Sequence, residues 1–415
     1  MIVDILVAEI GSTTTVVNAF NNLNSNNPVF MGQGQSPTTV LEGDVNIGLN
    51  GAIDDLKLNL EIDELEYKEL IATSSAAGGL KMTVHGLVYD MTAKAAKEAA
   101  LGAGANIHMV TAGRLRRSEV KKIVSINPNI ILVAGGVDHG ERDTALFNAE
   151  VIAGLDLEVP VIYAGNIENH DDIIEIFKEY GKSEYLYIVD NVYPKIDMLN
   201  VEPTRKVIQD VFEEHIVHAP GMHHVRELVN GPIIPTPGAV MQASKMLKEE
   251  IGDLMTIDVG GATTDIHSVT EGSDEINRIL LSPEPVAKRT VEGDLGVYIN
   301  MLNIVELVGK EKLAKDLEME LEFVNELMEN HTPIPKDENQ IKFVERLTKE
   351  AVLISSDRHA GGFRDLFGGS GKKTMAEGKD LTSVQYIVGT GGALTRLPNR
   401  VEILKSIAFS NKGNK

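Results

Sequence analysis

Acidic side chains beside glycine-hydroxyl turns recur in this chain, and their spacing suits phosphate chemistry. The clearest stretch is Thr256 to His267, TIDVGGATTDIH, where Asp258 precedes Gly260-Gly261-Ala262-Thr263 and Asp265 follows. Glycine tolerates positive φ and carries no Cβ, so backbone N–H groups can close around an anion. Two acids cannot both face a phosphate without repulsion, so at least one of them suits a divalent cation or its waters. A hairpin with a solvated tip would explain this stretch equally well if it stood alone. A second run, Glu9-Ile10-Gly11-Ser12-Thr13-Thr14-Thr15, repeats the acid, glycine and hydroxyl order. A third, Val388-Gly389-Thr390-Gly391-Gly392-Ala393, has glycines that could pass backbone against a flat ring or a phosphate.

The elements that must hold these turns follow from the flanking pattern. MIVDILVAEI and VVNAF are apolar strand-like runs on either side of Gly11–Thr15, giving a tight hairpin, and the 256–267 stretch reads as another. A strand near Phe30, a helix over Val45–Leu60, an apolar strand end at Leu70–Thr73 running into Ser74–Gly79, and an Ala-rich helix over Ala93–Ala105 are expected. From Asn129, three β-rich runs (Ile130–Ala134, Val159–Ala164, Tyr185–Asp190) alternate with helical segments such as Asp171–Tyr180, which predicts a parallel βαβαβ unit inserted into the first lobe. Its first strand runs into Gly135-Gly136-Val137-Asp138. Pro235–Met246 predicts a helix. Arg289–Gly296 reads as a charged, glycine-punctuated loop. Glu306–Met328 and Asn339–Ser355 read as a helical subdomain broken at Thr332–Pro335. Ser383–Val388 predicts a strand that opens through the third glycine turn. The expected division is therefore a first lobe over 1–128, an inserted α/β segment over 129–230, and a second lobe over 231–415 with a helical subdomain at about 300–356.

Other candidates are weaker. His215, His218, His223 and His224 cluster, but no carboxylate motif accompanies them and Pro220-Gly221 breaks helical spacing. Gly368–Thr374, GGSGKKT, lacks the glycine spacing of a phosphate loop and reads as a flexible surface loop. The absence of cysteine removes disulfides, iron–sulfur clusters and thiol catalysis, and fits a cytoplasmic location. With 39 basic against 61 acidic residues, the formal charge of −22 disfavours nucleic acid or an anionic membrane as the main partner. The N-terminal run carries Asp4 and no basic residue, so it reads as a buried strand rather than a secretory signal.

The three turns in this order resemble the ATPase superfamily of actin, sugar kinases and Hsp70 chaperones. The phrases TIDVGGATTDIHSV, RTVEGDLGV, RHAGG and GKDLTSVQYIVGTGGALTRLP resemble, more narrowly, the MutL/GlmL family encoded beside coenzyme-B12-dependent glutamate mutase, which is unrelated to the mismatch-repair protein of that name. The resemblance implies two ribonuclease-H-like lobes around a nucleotide cleft, with helix 235–246 as a connection between lobes. It implies an accessory ATPase, chaperone-like, that reactivates or assembles a B12-dependent mutase, with ATP and Mg2+ as cofactors. Gly11, Ser12, Thr13, Thr14, Gly260, Gly261, Ala262 and Thr263 would grip the phosphates; Gly389, Gly391 and Gly392 would pack on the nucleotide. Glu9, Asp258 and Asp265 would hold magnesium through water, and one of them would orient the attacking water. Glu9 stands where the superfamily usually has Asp, and no counterpart of a second connecting helix follows Gly392, as in a shortened chain. A small-molecule kinase and a nucleotide-sensing scaffold without turnover are the competing functions.

Overall fold

The first strands form because apolar residues alternate. In β1 (Ile2–Ile10), Leu6, Ala8 and Ile10 are buried at a spacing of two, one face of a pleated strand. In the computed structural model, which describes residues 1–39, 42–75, 80–216, 226, 228–368 and 371–410, β1 pairs antiparallel with β2 (Thr14–Asn21), and β2 with β3 (Val29–Pro37). β4 (Glu66–Ser74) and β10 (Ile233–Pro235) complete the sheet in parallel, in the order β10-β4-β1-β2-β3. Helix α1 (Val45–Asn59) starts where the Asp44 side chain accepts from Asn46 N. It lays Val45, Leu49, Ala52 and Leu56 on the sheet. Gly34 makes room for it: a Cβ there would stand 2.1 Å from the Ala52 carbonyl oxygen.

The second lobe repeats this plan. β11 (Leu254–Val259), β12 (Thr264–Val269), β13 (Ala287–Glu292) and β16 (Tyr386–Thr390) lie in the order β13-β12-β11-β16, with β11–β12–β13 antiparallel and β16 parallel to β11. The third-second-first-fourth order is thus common to both sheets, and the α/β fold of two ribonuclease-H-like lobes is the one found. Helix α7 (Thr236–Ile251) leaves β10 of the first lobe and packs on β11 and β12 of the second. Helices α8 (Met301–Val308), α9 (Lys310–Leu317), α10 (Leu321–Glu329) and α11 (Glu338–His359) form the helical subdomain. Their core includes Ile304, Leu313, Val324, Phe343 and Leu347.

Between β4 and β10 the chain builds a separate sheet. β5 (Leu80–Gly86), β6 (Ala105–Ala112), β7 (Ile130–Val133), β8 (Val161–Tyr163) and β9 (Leu186–Ile188) are all parallel, in the order β6-β5-β7-β8-β9. This is the 2-1-3-4-5 order of a doubly wound unit. Its helices are α2 (Lys94–Ala103), α3 (Arg117–Ile126), α4 (Asp143–Ala153), α5 (His170–Glu179) and α6 (Glu202–Ile216).

Three expectations change. The inserted unit takes up β5 from Leu80, well before Asn129, because β5 pairs with both β6 and β7 rather than with the first lobe. Arg289–Gly296 is not wholly a loop: Ala287–Glu292 is strand β13, registered on β12 with Arg289 opposite His267. Gly362–Gly368 (β14) and Gly371–Glu377 (β15) pair antiparallel, so Gly368 and Gly371–Thr374 of the GGSGKKT stretch lie in a β-ribbon, while residues 369 and 370 lie outside the described residues. The expected histidine cluster likewise falls on residues whose side chains are not described.

Replacing Gly34 by alanine would force β3 and α1 apart. Denaturant unfolding of Gly34→Ala is expected to show a loss of roughly 1–3 kcal/mol, typical of overpacking. Unchanged stability would show that β3 and α1 can separate freely.

Candidate functional site

The two hairpin tips are built alike. Gly11 N donates to Thr14 O at 3.0 Å, and Gly260 N donates to Thr263 O at 2.9 Å. In each hairpin the acid sits two residues before the glycine, Glu9 in β1 and Asp258 in β11, and each faces a threonine of the neighbouring parallel strand, Thr73 or Thr390. The two tips meet across the interlobe cleft. A Cβ at Gly261 would lie 2.5 Å from Thr13 Oγ1, so the close approach requires glycine.

Around these tips is a cavity of about 490 Å3, a size that suits a small-molecule ligand. Glu9, Gly11, Ser12, Thr13, Thr14, Asp258, Gly260, Gly261, Ala262, Thr263 and Asp265 all line it. The second lobe contributes an apolar part of the lining, Pro333, Ile334, Pro335, Ile341, Val344 and Leu397; the first lobe, the inserted unit and α7 contribute Ser75, Leu80, Asn106, Phe212 and Thr236. A larger hollow of about 1100 Å3 lies beside α11 and the β14–β15 ribbon, but it contains none of the three glycine turns.

The third turn divides. Gly391 and Gly392 line the cavity, and Gly391 has φ +80°. A Cβ on Gly391 would fall 2.4 Å from Val259 O and 2.5 Å from Asp258 Oδ1, so this glycine allows the turn to press on the second hairpin. Gly389 does not line the cavity. It pairs with Ile257 in the sheet, and its Cβ position points at Leu394 and Leu404.

The three acids are not equivalent either. Burial, then the charges of Glu9 and Asp265, push the Asp258 carboxyl well above its ordinary range, against an opposing effect of Arg289. Burial raises Glu9 as well. Neither Glu9 nor Asp258 is in a salt bridge among the described residues, whereas Asp265 is taken. Its Oδ1 accepts from Arg289 Nε at 2.8 Å and lies 2.5 Å from Arg289 Nη2, and its Oδ2 accepts from Thr263 Oγ1 at 3.0 Å. Arg289, only 1% exposed, also lines the cavity. Reading its segment as a loop concealed it; the β-branched pair Thr290-Val291 was the one local signal for a strand. Also missed were Thr236, whose hydroxyl donates to Thr73 Oγ1 at 3.1 Å, and Arg396 on the short helix α12 (Gly392–Arg396). Arg396 lines the cavity with Nε and Nη2 buried and without a hydrogen-bond partner among the described residues. Among the described residues no group of three or more His, Cys, Asp or Glu forms a direct metal cluster.

The family model described as MutL protein matches residues 5–415. A curated relative, Protein MutL of Clostridium tetanomorphum, is 38% identical over 97% of this chain and 89% of its own length. Among solved structures, a nucleotide-free acetone carboxylase is 15% identical, covering 70% of this chain and 48% of that one, with a TM-score of 0.34. A PilM-PilN type IV pilus biogenesis complex is 12% identical over 98% and 86% of the two chains, with a TM-score of 0.27. Likenesses this slight carry no weight beside the strand order itself.

The raised carboxyls make a pH prediction for the metal-free protein. The native state retains protons that the unfolded chain would release, so this contribution to stability is full below the ordinary carboxylate range and is lost as pH rises through the raised values. Asp258→Asn is expected to match the wild type in acid and to exceed its stability at higher pH, as thermal unfolding across pH would show. A constant difference at all pH values would contradict the assignment. Gly391→Ala is expected to force the third turn off Val259 O and Asp258 and to cost roughly 1–3 kcal/mol of stability, with thermal unfolding as the readout.

Proposed function

The chain belongs to the MutL protein family, and on that premise we propose that it is a Mg-ATP-binding accessory ATPase that serves a coenzyme-B12-dependent mutase such as glutamate mutase. The observation that carries the nucleotide reading is the pair of matching glycine-hydroxyl tips, Gly11–Thr14 and Gly260–Thr263, facing each other in one cavity with two acids that have no ion-pair partner among the described residues. Backbone N–H groups of both tips, with the hydroxyls of Ser12, Thr13 and Thr14, would hold the phosphates, while Thr263, whose hydroxyl proton goes to Asp265, would offer a lone pair to magnesium-bound water. The apolar lining at Pro333–Pro335, Val344 and Leu397 would take the base, with Gly391 and Gly392 also in the wall and Arg396 offering Nε and Nη2, which have no partner among the described residues.

The residues also fit magnesium, held through water rather than by a direct cluster. Of the three acids, Glu9 and Asp258 are in no salt bridge among the described residues, and burial raises the titration of both. When bound, the ion would neutralise charge developing on the transferred phosphoryl group. Asp265 would act at one remove, orienting Thr263 while Arg289 balances its charge. Asp258 would orient the attacking water, since it lines the cavity without a salt bridge of its own. Glu9, Asp258 and Asp265 are the only acids among the described lining residues, so no further carboxylate stands ready as base for a metabolite hydroxyl, which favours water as acceptor.

The mutase partner, the reactivating role and a cytoplasmic setting rest on the family resemblance. No helix of the described residues is long and apolar enough to cross a membrane. Hydrolysis would alter the relation between the lobes, and that motion would act on the partner.

Titration of Mg-ATP into the wild type is expected to show binding, and Asp258→Ala or removal of magnesium by chelation should weaken it by at least about tenfold, ~1.4 kcal/mol. Addition of a B12-dependent mutase inactivated by turnover should then reveal phosphate release together with recovery of mutase activity. Binding without phosphate release, even beside the partner, would point instead to a sensing scaffold.

A further inference from the structure

The inserted unit belongs to the first lobe in sequence but is fastened to the second lobe in space. Its helix α2 and its neighbour α6 grip β13, the edge strand of the second sheet. Lys94 Nζ donates to Ser282 Oγ at 2.7 Å and to Glu284 Oε1 at 2.5 Å. Lys288 reaches Glu284 at 2.5 Å and Glu98 at 3.8 Å. Arg205 of α6 donates from Nη2 to Ala287 O at 2.8 Å, lying where a Cβ on Gly102 would intrude. None of these residues lines the cavity.

Arg289 joins this contact to the cavity. While Nε and Nη2 engage Asp265, Nη1 donates to Leu101 O at 3.0 Å and Ala105 O at 3.1 Å, the carbonyls where α2 ends and β6 begins. A continuous path therefore runs from Thr263 in the cavity wall through Asp265 and the guanidinium to the backbone of the inserted unit. A planar fork can serve a carboxylate and two carbonyls at once; a lysine ammonium cannot hold that geometry.

We propose that Arg289 is a positioning residue that sets Asp265 and Thr263 from the inserted unit, so that nucleotide occupancy and the docking of α2 on β13 are energetically linked. The proposal rests on the nucleotide reading above. Linkage is reciprocal: whatever pulls on the inserted unit changes nucleotide affinity, and nucleotide changes how firmly α2 is held. The inserted unit is then the surface through which a partner would sense and influence the nucleotide state.

The test compares the wild type, Arg289→Lys, and a double variant, Lys94→Met with Glu284→Gln, which loosens the dock outside the cavity. Calorimetric titration with Mg-ADP and with a non-hydrolysable Mg-ATP analogue is read beside amide hydrogen exchange of residues 94–112. We expect nucleotide to slow exchange in α2 and β6 of the wild type. The double variant should bind about threefold or more weakly, within the range of couplings carried by packed networks, with its exchange no longer responding to nucleotide. Arg289→Lys should do the same while retaining the cation. Normal affinity in the double variant, with no nucleotide effect on exchange in α2 of the wild type, overturns the linkage alone. Absence of any binding to the wild type overturns the nucleotide reading and the linkage together.

Discussion

Two half-buried carboxylates in one cleft, Glu9 and Asp258, neither in a salt bridge among the described residues, are the constraint to which the rest of this structure answers. Burying an unpaired carboxylate is costly, and the cost appears as a shift toward the protonated form. Such an arrangement persists only if the surroundings impose it. Here each acid is at the end of a central strand, one residue from a buried apolar side chain, Ile10 or Val259, that locks the strand into its lobe. The sheets fix the acids; the turns after them supply N–H donors; the cleft brings the two sets together. A site with fixed donors and unsatisfied acids needs little rearrangement when an anion and a cation arrive together.

The two halves share a plan but have diverged in chemistry. Val16 stands opposite Glu9 in the first hairpin, whereas Asp265 stands opposite Asp258 in the second. The additional acid demanded a counter-charge, and Arg289 on the adjacent strand provides it from an almost wholly buried position. A buried ion pair of this kind is weak evidence for stability, because desolvation offsets much of the attraction. Its effect is directional: it fixes which way the Asp265 carboxylate points, and so which oxygen Thr263 can reach.

The inserted unit gives the molecule a second connection between lobes. Helix α7 is the covalent one, continuous from β10 onto the second sheet. The dock of α2 and α6 on β13 is non-covalent and rich in charge, with Lys94, Glu98, Glu284, Lys288 and Arg205 drawn from both sides. Contacts of this polar kind resemble interfaces that can shift rather than a hydrophobic core that cannot.

How far the fold and site could be read from sequence depended on the range of the interactions involved. Period-two apolar runs and glycine-hydroxyl tips are local signals, and they were enough to place both hairpins, the helices α1 and α7, and ten of the lining positions from Gly11 to Thr14, Gly260 to Thr263, and Gly391 to Gly392. They also located the acids Glu9, Asp258 and Asp265. Sequence could not say that Gly389 turns toward Leu394 and Leu404 while Gly391, two residues on, presses against Asp258. That difference arises because Gly389 lies within β16, while Gly391, just past its end, has turned to φ +80°. Nor could it foresee that β5 leaves the first lobe for a separate sheet, or that Arg289 spans from Asp265 to Leu101 and Ala105. Those contacts join residues far apart in the chain, so no local pattern encodes them. The amino-acid sequence determined the donors and acids; tertiary structure alone decided which acid keeps its charge unpaired and which is matched.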